Sequence, residues 1–203
     1  MSIEIKISNQ QIPYKKAINI LKNRVNLIKK GKAKDFLWLL EHPTTYTAGI
    51  RSADKDILDK KIKIIKTDRG GKITLHNPGQ KILYFAIDLN NKKKDIRNLV
   101  TILENIIIQF LKKYKINSNL DKKNIGVWVK GKKIASIGIK VSKWVAYHGC
   151  SININNDLKK YKKIIPCGLD NQKITSLKNE GVNIIKDINK NIIEIFKKNY
   201  KKI

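Results

Sequence analysis

Apolar residues recur with the helical period in two long stretches of the chain. The first covers residues 12–30, and the second covers residues 95–114, where a wider stripe of Ile, Leu, Val and Phe side chains repeats. Residues three and four positions apart share one face of a helix, so both stretches predict amphipathic helices that bury one face. Gly31 follows the first stretch and is a typical helix stop. A last helix is predicted over residues 184–198.

Short apolar runs between these helices predict strands. The continuous run at residues 35–40 is typical of a buried strand, and residues 41–49 after it are predicted to form a loop. Lys130-Gly131 separates two apolar runs and predicts a β-hairpin. The strand candidates are residues 35–40, 62–66, 72–75, 82–88, 127–129, 134–141 and 144–154.

The order of these elements predicts the fold class and the number of domains. Helices and strands are interleaved without an internal repeat, which favours an α+β or mixed α/β fold. At 203 residues the chain is long enough for one substantial core, so a single domain over residues 1–203 is predicted. The alternative arrangement adds a small C-terminal lobe that begins at about residue 155.

Three sequence features bear on where the protein acts. The chain contains no run of 18 or more apolar residues, so we expect no transmembrane helix. Its N-terminus lacks the basic and then apolar plan of a signal peptide. The two cysteines, Cys150 and Cys167, do not suggest a disulfide scaffold. A cytoplasmic protein with reduced thiols is therefore predicted.

The formal net charge of +28 raises the question of a nucleic-acid ligand. Lysine accounts for 40 of the 44 basic residues, and these lysines are spread among many Ile and Asn residues along the whole chain. Nucleic-acid readers usually rely on arginine, whose guanidinium binds phosphate and guanine with two hydrogen bonds. The pattern favours compositional drift over a selected nucleic-acid surface. The charge still favours encounters with acidic partners, in a way that weakens with salt.

Cys167 is the strongest candidate for a catalytic residue. It lies in the run Pro166-Cys167-Gly168, where Pro fixes one backbone angle and Gly frees the chain after the thiol. A cysteine beside a cation has a lowered pKa and becomes a nucleophile. A free cysteine is otherwise most often a small buried hydrophobic residue, and Cys150, next to a strand, is interpreted in that way.

Other motifs offer binding groups, but none of them predicts a metal site. The paired glycines of Arg69-Gly70-Gly71 let a ligand approach the backbone closely, and the turn at His76-Asn77-Pro78-Gly79 would aim His76 into a site. A plain hairpin with a surface histidine is the alternative. His148 could orient a neighbouring group or serve as a structural histidine. The three histidines are far apart in the sequence and no Cys-x-x-Cys occurs, so no metal is predicted.

Seven motifs occur in an order that resembles one enzyme family, the lipoyl(octanoyl) transferases of lipoate biosynthesis. The resemblance covers about residues 35–177 and is much more specific than any single motif. The motifs are Glu41-His42-Pro43 with Tyr46-Thr47-Ala48-Gly49, Arg69-Gly70-Gly71, His76-Asn77-Pro78-Gly79-Gln80, Gly126-Val127-Trp128-Val129, Lys133-Ile134-Ala135-Ser136-Ile137-Gly138, His148-Gly149 and Pro166-Cys167-Gly168.

The resemblance implies a thioester relay on a fold like the catalytic domain of biotin/lipoate protein ligases, with a mixed central sheet and flanking helices. Cys167 would take an octanoyl group from octanoyl-acyl carrier protein and pass it to a lysine ε-amine on a lipoyl domain of a 2-oxo-acid dehydrogenase complex or the glycine cleavage system. Lys133 would be the catalytic lysine, and no cofactor is implied. The implied substrate-binding residues are Arg69, Gly70, Gly71, Lys72, Ile73, Thr74, Leu75, His76, Ser136, Ile137, Gly138, Gly149, Cys150 and Ser151.

Elementary chemistry is consistent with this assignment. Transfer from a thioester to an amine needs an activated thiol and a proton acceptor, but no ATP. A lysine ammonium near the thiol stabilises the thiolate, and the same lysine in its neutral form can accept a proton from the incoming amine. Adjacent side chains of a strand point to opposite faces. One of Lys132 and Lys133 can therefore face the site while the other faces water.

Two residues depart from the family pattern. Asn77 stands where the family has glycine in its His-Gly-Pro-Gly-Gln motif. Asn tolerates a left-handed φ, which would preserve the turn, although a residue before proline is restricted. Cys150 occupies a pocket position that is commonly apolar, where filling space is favoured over competing for the acyl group.

Two alternative functions remain open at this point. An ATP-dependent lipoate- or biotin-protein ligase on the same fold would adenylate a free acid and would need no cysteine nucleophile; the Pro-Cys-Gly motif argues against it. A nucleic-acid-binding protein would hold DNA above physiological salt, whereas nonspecific binding would be lost at modest salt.

Overall fold

The computed structural model describes residues 2–121, 124–166 and 173–203. Strands and three α-helices are interleaved along these residues. In chain order they are β1 (Ile3–Ile7), α1 (Tyr14–Lys29), β2 (Asp35–Leu40), β3 (Thr45–Ala48), β4 (Ile64–Lys66), β5 (Ile73–His76), β6 (Gln80–Asp88), α2 (Ile96–Lys113), β7 (Asn119–Leu120), β8 (Val127–Val129), β9 (Lys132–Ser142), β10 (Val145–Asn153) and α3 (Ile188–Tyr200).

Two sheets organise the described part of the molecule. Seven strands form a central sheet in the order β1-β2-β6-β10-β9-β8-β7, and three form a smaller sheet in the order β4-β3-β5. The central sheet is mixed, because β1 runs parallel to β2 while β2, β6, β10 and β9 pair antiparallel. The prediction of a mixed α/β fold with a central sheet is confirmed.

Helices cover both faces of the central sheet. Alternate residues of β2 explain why its sequence is continuously apolar: Phe36 and Trp38 pack towards α1, whereas Leu37 and Leu39 pack towards α2 and α3. A strand covered on both faces needs apolar side chains at every position. Each large side chain that is fully buried in this way contributes about 1.5–3 kcal/mol. Asp95 caps α2, since its carboxylate accepts a hydrogen bond from the Asn98 backbone N–H.

The predicted elements with strong periodicity are confirmed. The helices predicted at residues 12–30 and 95–114 are α1 and α2, and the chain after α1 turns at Gly31, whose φ is +68°. The predicted hairpin is confirmed as well. Lys130 and Gly131 both have positive φ, as a two-residue type I′ turn between antiparallel strands requires.

Three expectations about the elements need correction. Residues 41–49 are not only a loop, since they contain β3, the middle strand of the smaller sheet. The last helix begins at Ile188 and not at Ile184, whose side chain is exposed. The edge strand β1 was not predicted, although its sequence Ile-Glu-Ile-Lys-Ile alternates with the strand period.

The C-terminal part of the described chain shares the main core. Leu177 and the α3 residues Ile192 and Phe196 belong to the same hydrophobic cluster as the central strands. The hydroxyl of Tyr200 donates a hydrogen bond to Asp35 at the start of β2. The division of the chain into one domain with a lobe from about residue 155 stays a prediction. Within the described residues, none of the helices has the length and apolar character needed to cross a bilayer.

Candidate active site

A cavity lies where β5 of the smaller sheet faces β6, β9 and β10 of the central sheet. Its empty volume is about 470 Å³, counting its open mouth. Its walls combine glycine backbone, small hydroxyl side chains and aromatic rings. The lining residues are Arg69, Gly71, Lys72, Thr74, His76, Ile82, Tyr84, Ser136, Ile137, Gly138, His148, Gly149, Cys150 and Ser151.

Eleven of the fourteen predicted substrate-binding residues line this cavity; Gly70, Ile73 and Leu75 do not. Strand alternation explains the last two, because Thr74 and His76 face the cavity while Ile73 and Leu75 join a separate hydrophobic cluster with Tyr46, Tyr161 and Ile164. Gly70 lies just beside the wall, where its backbone N–H donates to the Ile139 carbonyl at 3.1 Å.

Ile82, Tyr84 and His148 also line the cavity but were absent from the predicted set. Ile82 and Tyr84 belong to β6, which was predicted only as a strand. One sequence signal could have identified Ile82 and Tyr84. They lie two positions apart, and therefore on one face, of the strand that begins at the His76–Gln80 turn.

Arg69 ties the wall of the cavity to the smaller sheet. Its guanidinium donates to the carbonyls of Gly70 and Lys72, both at 3.0 Å, and to the carbonyl and hydroxyl of Thr47 at 3.0 and 2.9 Å. Gly49 leaves room for this arrangement, because a Cβ at that position would overlap the Gly71 carbonyl and lie 2.7 Å from the guanidinium. The geometry therefore makes Arg69 a residue that fixes the Arg-Gly-Gly loop.

Asp68 accepts hydrogen bonds from two residues of β10, one of which, His148, lines the cavity. It accepts from the Tyr147 hydroxyl at 2.9 Å and from His148 Nε2 at 2.8 Å. The adjacent residues Tyr147 and His148 reach the same carboxylate because His148 has a φ of +71°. A non-glycine residue in this region costs about 1–3 kcal/mol and persists only where its surroundings require it.

The charge state of this cluster follows from its contacts. Burial alone would raise the pKa of Asp68, but the hydrogen bonds from His148, Tyr147 and Lys22 outweigh burial and hold the pKa well below its usual range. Burial lowers the pKa of His148 to about 4. Neutral His148 thus donates from Nε2 to the carboxylate, and its buried Nδ1 has no hydrogen-bond partner among the described residues.

The predicted alternation of Lys132 and Lys133 is present in the structure. Lys132 is exposed, whereas Lys133 is 4% exposed. The amine of Lys133 lies 5.4 Å from the centre of the Trp128 ring. Gly126 is required for this position, because a Cβ there would come within 2.5 Å of Lys133 Cε. Within the described residues no carboxylate forms an ion pair with Lys133, and Lys133 is not among the residues that line the cavity.

The predicted nucleophile Cys167 lies outside the described residues, but both flanks of its segment are fixed. Before the segment, Ile165 donates from its backbone N–H to the Asp56 carbonyl at 2.8 Å, and Ile164 forms a bridge with Ile57. After it, the Thr175 backbone N–H donates to the Lys133 carbonyl at 3.0 Å. The second flank is therefore bonded directly to the strand that carries the predicted catalytic lysine.

Cys150 is buried in the core and also contributes to the cavity wall. Burial raises the pKa of its thiol to about 12. A thiol with so high a pKa is almost entirely protonated at neutral pH and is a poor nucleophile. These observations support the interpretation that Cys150 fills space.

Asn77 preserves its turn by a different route from the one expected from sequence. Gly79 has a φ of +83°, and the Gln80 N–H donates to the Asn77 carbonyl at 3.1 Å, which defines a type II turn with Pro78 in its second position. Asn77 itself needs no left-handed φ. Its side chain instead donates to the Asp157 carbonyl at 2.9 Å and accepts from Asn156 at 3.0 Å.

The buried histidines are expected to make stability depend on pH below neutrality. Burial lowers the pKa of His42 and of His148 to about 4 and that of His76 well below 6.5. The unfolded chain, with histidine pKa values of about 6.5, therefore binds more protons than the folded protein as the pH falls. The free energy of unfolding should decrease between about pH 6.5 and 4, by on the order of 1.4 kcal/mol per histidine per pH unit.

Urea unfolding at about pH 7.5 and at about pH 5 measures this effect. A lower midpoint at pH 5 is expected. Asp68 does not contribute in this window, because its depressed pKa affects stability only at more acidic pH. Equal midpoints at the two pH values would contradict the burial of neutral histidines.

Comparison with known structures defines the class of fold. A bipartite lipoate protein ligase from Thermoplasma acidophilum superposes with a TM-score of 0.76 at 14% identity, over 99% of this chain and 84% of the other. A biotin acetyl coenzyme A carboxylase synthetase from Helicobacter pylori gives a TM-score of 0.56 at 14% identity, over 98% of this chain and 74% of the other. The fold is that of lipoate and biotin protein ligases, as predicted.

Sequence comparison identifies the family. The lipoyl protein ligase A/B catalytic domain matches residues 13–197, and the chain belongs to this family. An octanoyltransferase of Ehrlichia chaffeensis is 44% identical over 188 residues, covering 90% of this chain and 88% of the relative. An octanoyltransferase of Wolbachia pipientis wMel is 42% identical over 183 residues, covering 88% and 89%. The predicted resemblance to the octanoyltransferases is confirmed.

Proposed function

We propose that this protein is an octanoyltransferase that uses octanoyl-acyl carrier protein as donor and the lysine ε-amine of a lipoyl domain as acceptor. The lipoyl domains are those of 2-oxo-acid dehydrogenase complexes and of the glycine cleavage protein, and the reaction takes place in the cytoplasm. The observation that carries the proposal is the convergence of eleven predicted substrate-binding residues on one cavity in a chain about 40% identical to octanoyltransferases.

The reaction consists of two acyl transfers through Cys167. In the first, the thiolate of Cys167 attacks the octanoyl thioester, the bond to the carrier sulfur breaks, and the carrier leaves as a thiolate that takes up the proton Cys167 lost on ionising. In the second, the acceptor lysine amine attacks the enzyme thioester, the C–S bond breaks, and an amide forms. The proton lost by the amine finally resides on the Cys167 sulfur. In its ammonium form, Lys133 stabilises the Cys167 thiolate. In its neutral form, Lys133 transfers the proton from the attacking amine to the sulfur.

The cavity geometry suits an acyl chain. Gly138 and Gly149 are paired opposite each other on β9 and β10, and neither places a side chain over the sheet. A flexible hydrocarbon chain can therefore lie against the backbone, with Ile82 and Tyr84 as apolar contacts. The net charge of +28 favours encounter with acidic carrier and acceptor domains, and this advantage decreases as salt increases.

Intact-mass spectrometry tests the proposed function. Purified protein is incubated with octanoyl-acyl carrier protein in the absence of ATP, alongside Cys167→Ser and the matched variant Cys150→Ser. The wild-type protein and Cys150→Ser should each gain one octanoyl group that hydroxylamine removes and a lipoyl domain discharges. Cys167→Ser should gain none.

The alternatives give different results in the same experiment. Octanoylation of a lipoyl domain that requires free octanoate and ATP would indicate a ligase. An adduct that disappears in Cys150→Ser but persists in Cys167→Ser would assign the nucleophile to the other thiol. Folded wild-type protein that forms no adduct would refute the thioester relay.

A further inference from the structure

His76 presents a free ring nitrogen in the acyl cavity, and its role is not accounted for by an acyl chain. The residue is 6% exposed and lines the cavity. Its Nδ1 lies 2.8 Å from the side-chain oxygen of Gln80, and its Nε2 has no hydrogen-bond partner among the described residues. The chemistry that His76 can offer therefore depends on which nitrogen carries the proton.

A chain of side-chain amides determines that tautomer. The Asn153 amide nitrogen donates to the Thr175 carbonyl at 2.9 Å, so its oxygen faces the Gln80 amide nitrogen, 2.9 Å away. That Gln80 nitrogen also donates to the Leu75 carbonyl at 3.2 Å. Backbone carbonyls can only accept, so both amides have one allowed orientation. The Gln80 oxygen must then accept from His76 Nδ1–H, which leaves Nε2 as a lone-pair acceptor.

The surroundings of His76 keep it neutral. The ring of Tyr14 from α1 stacks on the His76 ring with 5.8 Å between the ring centres. The His42 ring packs edge-on, with 5.6 Å between the ring centres. Burial lowers the pKa of His76 well below its usual value, and the nearby groups His42, Arg69 and His148 lower it further, against the opposing effect of the hydrogen bond that His76 donates to Gln80. A group with this pKa is a weak base, but it remains a good hydrogen-bond acceptor.

We propose that His76 Nε2 accepts a hydrogen bond from the ε-amine of the acceptor lysine and orients that amine for attack on the acyl-enzyme. This rests on the proposed function. The carbonyl oxygen and sulfur of the donor thioester can only accept hydrogen bonds, whereas the neutral amine has N–H groups to donate. Gln80 and Asn153 are then positioning residues, because they act through the tautomer and orientation of His76.

The amide chain also connects His76 to the proposed reaction centre. Asn153 is bonded to Thr175, whose backbone N–H is bonded to Lys133, and the Leu177 N–H donates to the Asn153 carbonyl at 3.1 Å. The Gln80 amide also contacts the Tyr161 hydroxyl at 3.0 Å, three residues before Ile164. Gln80 and the Asn153 side chain bonded to it therefore contact, between them, the structure on both sides of residues 167–172. The orientation of His76 is fixed by the same framework that holds the flanks of the Cys167 segment.

Nitrogen-15 NMR of the histidine rings tests the tautomer without any need for activity. The chain has three histidines, and loss of signals in His76→Gln identifies the His76 ring among them. We expect His76 and His42 to carry the proton on Nδ1, because His42 Nδ1 donates to the Ile12 carbonyl, and His148 to carry it on Nε2. Gln80→Leu should produce a mixture of tautomers at His76 alone. A wild-type His76 protonated on Nε2 would overturn the proposal.

Single-turnover kinetics test the role in amine attack. Enzyme carrying an octanoyl group is mixed with a lipoyl domain, and discharge is followed by intact mass. His76→Phe keeps the ring that stacks on Tyr14 but removes the acceptor; discharge should slow roughly 10-fold to 100-fold, the effect of one lost positioned hydrogen bond. Because His76 also lines the acyl cavity, formation of the acyl-enzyme can slow too, but by a much smaller factor than discharge. His76→Gln should recover part of the rate, because its side-chain oxygen can accept a hydrogen bond.

Tyr14→Phe is the matched control for changes in the aromatic stack. It removes only the hydroxyl that donates to Thr67 at 3.1 Å, and discharge should keep its wild-type rate. If the wild-type enzyme works and His76→Phe discharges at the same rate, the proposal is overturned while the octanoyltransferase function stands. An equal loss in both half-reactions would also overturn it, because it would indicate a structural role. Absence of a wild-type acyl-enzyme would instead refute the proposed function, and the NMR result would still report on the tautomer.

Discussion

Replacement of Lys133 by methionine should reduce octanoyl transfer by about 10²–10⁴-fold, the range lost when a positioned acid–base group is removed. Methionine retains an unbranched side chain of similar length, so the packing against Trp128 and Gly126 should survive. The matched control is Lys132→Met, which changes the exposed neighbour on the same strand. That variant should transfer octanoyl groups within about twofold of the wild-type rate.

The two half-reactions show which role of Lys133 dominates. If its ammonium stabilises the thiolate, Lys133→Met should slow acylation by octanoyl-acyl carrier protein and should also slow alkylation of Cys167 by iodoacetamide. If its amine accepts a proton from the acceptor lysine, discharge should slow as well. Intact-mass kinetics separates these steps. A Lys133→Met enzyme that is as active as Lys132→Met would remove Lys133 from the mechanism.

Much of the central fold could be predicted because its signals are local. The stripe of α2 and the continuous apolar run of β2 each reflect burial that is visible in a few consecutive residues. The strand β3 was missed because Pro43 and a cluster of threonines before Gly49 are also typical of a loop. Only its pairing with β4 and β5, which are distant in the sequence, distinguishes it from one.

The candidate site shows the same division between local and distant information. The alternation of Lys132 and Lys133 follows from strand geometry and could be predicted. The Asp68–His148 hydrogen bond joins residues 80 positions apart and depends on a positive φ at His148, which no propensity of histidine would predict. The family resemblance implies that the whole Arg69–His76 segment binds substrate, and this segment includes Ile73 and Leu75. The pleat of β5 then placed them in a different hydrophobic cluster from Thr74 and His76.

Replacement of Gly149 by alanine should be among the most destabilising single substitutions in the protein. A Cβ at this position would overlap the carbonyl oxygen of Leu83 and lie 3.3 Å from Phe85, and the backbone has a φ of +152°. The overlapping atom belongs to the backbone of β6, which is paired with β10 through this point. Relief therefore requires the two central strands to separate. We expect a loss of at least about 4 kcal/mol in the free energy of unfolding, a size that marks a specific steric or packing failure.

Gly31→Ala is the matched control for this prediction. Gly31 also has a positive φ, +68°, but among the described residues no atom beyond its own chain neighbours lies within 4 Å of the position that a Cβ would occupy. This variant bears only the cost of a left-handed non-glycine residue, about 1–2 kcal/mol. Urea unfolding of both variants separates the steric overlap from the backbone cost. Similar losses of stability for the two variants would mean that β10 can shift away from β6. The paired Gly149 and Gly138 would then not form the rigid wall that the acyl cavity requires.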